Sequence, residues 1–106
     1  MTNTEHTRHA ILKDKKVIPI SSIIMWARWF ETAGDKRRVA RDTVGADYVS
    51  TIFLGLNHDY FGGEPLWFET MVFGGPLDGE CERYTTYEQA ELGHKKMLAR
   101  MKEKAK

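Results

Sequence analysis

The sequence predicts an α+β domain in which an antiparallel sheet of three or four strands carries two helices packed on one face, in the order β-α-β-β-β-(β)-α. Three observations predict it. Two runs rich in β-branched and aromatic residues, "DYVSTIFLGL" (47–56) and "LWFETMVF" (66–73), read as strands. A capped, periodically apolar stretch precedes them, and a second one follows. The 106 residues, 42% apolar and 11% aromatic, suit a single hydrophobic core and not a disordered chain.

Residues 1–15 are polar without a sustained period and read as a mobile arm, which leaves residues 16–106 as the single domain. Val17–Ile20 suits a short edge strand, because Pro19 lacks a ladder donor. Ser21 or Ser22 can cap a helix running from about Ser22 to Ala33, with apolar residues at Ile23, Ala27 and Phe30 and Trp26 alongside. Gly34 supplies the left-handed conformation that ends it. Lys36–Val44 alternates weakly as a strand, and Gly45-Ala46 fits a tight turn into the next one. Glu82–Tyr84 can add a brief fourth strand after the turn-rich "GGPLDGE". Thr85 or Thr86, with Glu88 or Gln89 as capping-box partner, opens the last helix. Its stripe is Ala90, His94, Met97, Leu98 and Met101.

Between the two strongest strands lies "LGLNHDYFGGEP" (54–65). A hairpin centred near Tyr60 sets Leu54 opposite Leu66 and Ile52 opposite Phe68. Alternation then places Ile52, Leu54, Leu66, Phe68 and Val72 under the helices. The other face receives Arg38, Val49, Thr51, Phe53, Trp67, Glu69 and Met71. Aromatic, Met and Arg side chains are enriched at interface cores. The expected partner-binding residues are therefore Arg38, Phe53, Trp67, Glu69 and Met71, joined by Tyr60 and Phe61 at the loop tip; the alternative is that the N-terminal segment or a second copy of the chain covers this strip.

The formal net charge of +1 hides three blocks: +5 over residues 1–41, −9 over 42–94 and +5 over 95–106. Such blocks bear on partners and encounter rates, not on fold. Cys81 is the one cysteine, which excludes an internal disulfide and a thiolate zinc cage and favours a reducing compartment. Met1–Thr7 lacks the apolar region of a signal peptide, and the most apolar stretch, Val17–Phe30, is too short and too interrupted to span a bilayer.

The chemistry-bearing residues are sparse. Asp42, Asp47, Asp78, Glu80 and Glu82 fall at one end of the sheet and read as a solvated acidic rim, since the spacing of a calcium loop is missing. His58 and Asp59 fall at the other end, about 26 Å away along an eight-residue strand. Imidazole beside a carboxylate can serve acid–base chemistry, but neighbours in an extended loop point apart, and such a pair is commonly turn chemistry. His94 reads as a hydrogen-bonded core histidine. Cys81 reads as a semi-buried thiol blunted by Glu80 and Glu82. No nucleophile elbow or phosphate loop occurs, so no catalytic residue, metal site or cofactor is assigned.

The segment "VSTIFLGLNHDYFGGEPLWFETMVFGGPLDGECERYTTYEQAELGH", with "WARWFETAGDKRRVARDTVG" before it, resembles a family of small tailed-bacteriophage and prophage proteins over about residues 26–94. "FETMVFGGPLDG" (68–79) is its most distinctive part. The resemblance implies a phage accessory protein acting in the host cytoplasm and transfers no catalytic residue. The expectation is a non-enzymatic protein that binds a host or phage protein, an inhibitor of a host or defence protein among them, or a second copy of itself. The second reading is nucleic-acid binding through the basic helix "GHKKMLARMKEK", which the −9 middle section opposes. The third is a small His/carboxylate hydrolase.

Overall fold

The computed structural model describes residues 8–105. Strands β1 (Ala10–Lys13) and β2 (Lys16–Pro19) form a two-stranded antiparallel sheet. Helix α1 (Ile23–Ala33) and one turn of 3-10 helix (Gly34–Arg37) follow. A four-stranded antiparallel meander then runs through β3 (Arg38–Val44), β4 (Asp47–Phe53), β5 (Phe68–Phe73) and β6 (Cys81–Tyr84), in that spatial order, before helix α2 (Tyr87–Lys104). This is the expected α+β class, with a second small sheet added to it.

Local chemistry accounts for the helix ends. Ser22 accepts from the Met25 amide at 3.2 Å to start α1, and Gly34, with φ of 50°, closes it. Thr86 and Gln89 form a reciprocal capping box at the start of α2, and Lys102 and Lys104 sit in its last turn, where cations suit the helix dipole.

The expected arm over residues 1–15 is corrected for its second half; residues 1–7 lie outside the described residues. Ala10–Lys13 pairs with Lys16–Pro19, and the segment just before it is held too. The Ala10 amide donates to the Gly55 carbonyl and the Asn57 amide to the Arg8 carbonyl, both at 3.0 Å, around a His9–Leu56 bridge. Ala10 is fully buried. These bonds are made to residues more than forty positions away, and a polar composition does not disclose them.

The β4–β5 register differs from the expected one by a single residue. Val49 faces Val72, Thr51 faces Thr70 and Phe53 faces Phe68. One step of slip exchanges the faces of a strand, so the buried residues of β4 are Val49, Thr51 and Phe53 rather than Ile52 and Leu54. The connection between these strands is not a tight hairpin whose turn dictates pairing. Asn57 organises it instead, its side-chain oxygen accepting from the amides of Asp59 and Leu66 at 2.8 and 2.9 Å. Register is then set by what the strands bury.

Helix α2 lies across all four strands. The core beneath it has two apolar parts. One contains Phe53, Trp67, Phe68 and Ala90 with Ala10 from β1, and Trp29 of α1 packs edge-on against Phe53. The other contains Val49, Val72, Met97 and Met101. The opposite sheet face has no covering element among the described residues. It carries a Tyr48–Phe73 stack with centroids 4.7 Å apart, and Arg41 lies over the Tyr48 ring.

Gly93 sits inside α2, where alanine would ordinarily be better by about 1 kcal/mol. Here a Cβ would fall on the Tyr84 ring and hydroxyl. Gly93→Ala is therefore expected to destabilise the protein by about 1–3 kcal/mol through overpacking. In a Tyr84→Ala background the same change should become neutral or stabilising. Chemical denaturation of the four proteins checks this sign reversal.

Candidate functional surfaces: a buried relay, an exposed helix and a loop tip

A chain of hydrogen bonds crosses the core between its two apolar parts. Asp42 on β3 accepts from His94 Nε2 at 2.8 Å, and His94 Nδ1 meets Thr51 Oγ1 at 2.7 Å. Thr51 Oγ1 meets Thr70 Oγ1 at 2.5 Å, and the Tyr84 hydroxyl donates to Thr70 Oγ1 at 3.1 Å. With His94 neutral and Nε2 carrying the proton, one direction satisfies every member: Tyr84 donates to Thr70, Thr70 to Thr51, Thr51 to Nδ1, and Nε2–H to Asp42. Among the described residues no buried side-chain polar atom lacks a partner.

The Asp–His–Thr sequence has the look of a nucleophile and its base. Thr51 is fully buried, however, so no substrate reaches its hydroxyl, and the arrangement serves packing and register. Sequence reasoning placed His94 correctly in the core but assigned Asp42 to the acidic rim. The signal for their pairing was Asp42 alternating onto the helix-facing side of an edge strand.

The relay ends at an open cleft of about 570 Å³ between β6 and α2, where Tyr84, Leu92, Lys96 and Arg100 line the walls. Burial, ahead of the Glu82 and Cys81 charges, raises the Tyr84 phenol above its ordinary value, against a lowering by the Thr70 hydrogen bond. Arg100 is taken up by Glu80 at 2.8 Å and Arg83 by Glu69 at 3.0 Å.

Two more carboxylates of the acidic rim are engaged locally. Asp78 accepts from the Gly74 amide at 2.7 Å, and the Asp47 carboxylate fills the space where Cβ atoms on Gly74 and Gly75 would lie. Among the described residues no group of three or more His, Cys, Asp or Glu is placed to hold a metal. No helix of the described chain is long and apolar enough to cross a membrane.

The loop of residues 54–67 is braced at its base and bare at its tip. His58 Nδ1 meets the Leu56 carbonyl at 3.0 Å, and Asp59 accepts from the Phe61 amide at 3.3 Å. The two side chains are thus spent on separate loop contacts rather than on each other. The Arg8 guanidinium donates to the Asn57 and Asp59 carbonyls and covers the Tyr60 ring at 4.6 Å. Phe61 is 96% exposed.

The expected interface residues divide. Phe53 is 0% and Trp67 5% exposed, so both belong to the core and are removed from the partner surface. The one-residue register difference turns Phe53 inward, and Trp67, just ahead of β5, joins the cluster with Ala10, Phe68 and Ala90. Met71 and Glu69 lie on the open sheet face, opposite Ser50 and Ile52. Arg38 is exposed and paired with Asp35 at 3.2 Å. Tyr60 and Phe61 stay outside.

A surface the sequence reading missed is on α1. Ile23, Ile24 and Met25 are 59%, 64% and 59% exposed, and Ala33 is the helix's one buried residue. The helix is held by its other side. Trp26 Nε1 donates to the Gly55 carbonyl at 3.0 Å, Trp26 packs on Phe30, and Arg37 lies over the Phe30 ring while donating to the Phe53 carbonyl. Burial lowers the Arg37 pKa from its ordinary value. A signal was available: three consecutive apolar residues sweep about 200° of a helix, more than one buried stripe can cover.

The chain matches no protein-family model, and neither the curated proteins nor the solved structures contain a significant match.

Two outcomes follow from the relay and the sheet face. His94→Leu should cost about 2–3 kcal/mol, because it strands the Thr51 hydroxyl. Thr51→Val should cost less by at least about 0.5 kcal/mol when His94 is already Leu, which urea denaturation of the cycle measures; additive costs would deny the coupling. Cys81 is exposed, yet partial burial first, and Glu69 next, hold its thiol above the ordinary value. Glu69→Gln should lower that pKa and speed iodoacetamide alkylation just above neutral pH, where a larger thiolate fraction forms.

Proposed function

We propose that this chain is a non-enzymatic accessory protein that works by binding another protein, and that the exposed side of α1 is its contact surface. The single observation carrying this reading is the Ile23–Ile24–Met25 cluster, three adjacent apolar side chains each about three-fifths exposed on a helix otherwise anchored by aromatic contacts. Scattered exposed apolar residues are ordinary on monomers, whereas adjacent ones on an anchored helix mark association sites. A helix offering its apolar side to a groove is a recurrent mode of protein recognition. Tyr60 and Phe61 supply further exposed aromatic area, of the kind enriched at interface centres.

The resemblance to small tailed-phage proteins fits this reading and gives it a setting, the cytoplasm of an infected bacterium, where the partner is a host or phage protein. Enzymatic alternatives find less support: the imidazole–carboxylate relay is sealed at Thr51, and His58 and Asp59 are engaged by the loop itself.

The Ile24→Glu/Met25→Glu double variant tests the reading. Because both side chains are about three-fifths exposed, the unfolding free energy should change by no more than about 0.5 kcal/mol per site. A photo-crosslinker at position 24 should form a protein adduct in producing cells, and the same group at exposed position 95 should not. Absence of any adduct through position 24, together with a monomer in sedimentation at the highest soluble concentration, removes α1 as the contact.

A further inference from the structure

The β1–β2 hairpin is flanked by two grooves that share Lys15 and Tyr87. One, of about 480 Å³, is walled by Lys13, Lys15 and Lys36 above Leu12, Trp29 and Tyr87. The other, of about 510 Å³, continues past Lys16, Val17 and Trp67. We propose that these grooves form a binding site for a nucleotide, free or within a single strand, its phosphate held by Lys13, Lys15 and Lys36 and its base laid against Trp29 and Tyr87.

Three observations carry the assignment. None of Lys13, Lys15, Lys16 and Lys36 takes part in a salt bridge among the described residues, and three of them line the first groove and two the second. The carboxylates lining the grooves are Asp14 in the first and Glu88 in the second, fewer than the cations. Trp29 and Tyr87 are both half-buried, hence fixed in orientation and still reachable. Lysines alternating with aromatic rings are the chemistry by which proteins hold nucleotides without reading their sequence.

The hairpin turn adds an argument of a different kind. Asp14 and Lys15 have φ of 51° and 66°, a left-handed pair at positions where the turn favours Asn-Gly or Asp-Gly. Folding alone would be better served by glycine at position 15. A lysine there keeps an ammonium group 5.5 Å from the Tyr87 ring centre, at the meeting point of the two grooves.

The test uses the full chain at low salt with three probes: ATP, inorganic triphosphate and a fluorescein-labelled oligothymidylate. ATP and triphosphate are followed by tryptophan fluorescence, and the oligonucleotide by anisotropy. Binding of ATP or the oligonucleotide, weakened about tenfold or more by Lys13→Glu/Lys36→Glu and steeply by added salt, is the expected result. Lys95→Glu/Lys96→Glu on α2 should leave affinity within about twofold once salt is matched. Lys15→Gly should weaken binding while raising the melting temperature by about 3 °C, since it relieves the left-handed turn. Binding to ATP alone assigns a free nucleotide, and binding to the oligonucleotide assigns a single strand. Triphosphate binding as tightly as ATP, loss of affinity only in the α2 variant, or no binding of any probe overturns the proposal.

Discussion

Thr51, Thr70 and His94 meet in the middle of an otherwise apolar core, and the remaining geometry is arranged around that meeting. The hydroxyls face each other across β4 and β5, and the imidazole descends from α2 to join them. Sliding β4 by one residue would send Thr51 to the open face and leave Thr70 and His94 buried without it. Unpaired polar groups in such surroundings cost far more than a paired group gains. Apolar pairs on either side tolerate exchange of one another, but the threonine pair does not tolerate a shifted partner. Specific pairing therefore comes from the least apolar part of the core. Asp42 extends the same constraint to the edge strand, and Tyr84 extends it to the other edge, so each strand of the meander has one polar tie to this band.

The outer features follow from which side of that band each element occupies. Helix α2 has a full sheet beneath it and buries Ala90, His94, Met97 and Met101. Among the described residues helix α1 rests on the hairpin, the 3-10 turn, His9, Gly55 and Phe53, with no sheet face beneath it to match that under α2. It thus anchors through tryptophan and phenylalanine and leaves its isoleucines in water. The lysines of the hairpin stand on the same side of the chain's charge map as α1, remote in sequence from the acidic middle section.

What the sequence disclosed was mostly local. Ser22, Gly34 and the Thr86–Gln89 box announce helix ends because capping is decided within four residues. The strand identities were legible from β-branched and aromatic runs, and His94 from its place in a periodic stripe. Register was not, because the connection after Phe53 is long and Asn57, rather than a two-residue turn, closes it. The same slip hid the true position of Phe53, while Trp67 turns into the core just ahead of β5, outside the strand's alternation. The bulge between Arg38 and Ala40 was likewise unreadable, as was the strand at Ala10, whose partners lie at Pro19 and Gly55. The exposed isoleucines were present in plain letters; what was missing was the knowledge that α1 has little to lie against.

Arg8 gives the chain an unusual economy of parts. Its guanidinium holds the Asn57 and Asp59 carbonyls and roofs Tyr60, while its own carbonyl accepts from the Asn57 amide and the Ala10 amide donates to the Gly55 carbonyl, on either side of the His9–Leu56 bridge. Arg8 is thereby the buttress of the exposed aromatic tip at Tyr60 and Phe61. Replacing Arg8 by alanine would therefore loosen a tip about fifty residues away without altering a single letter of it.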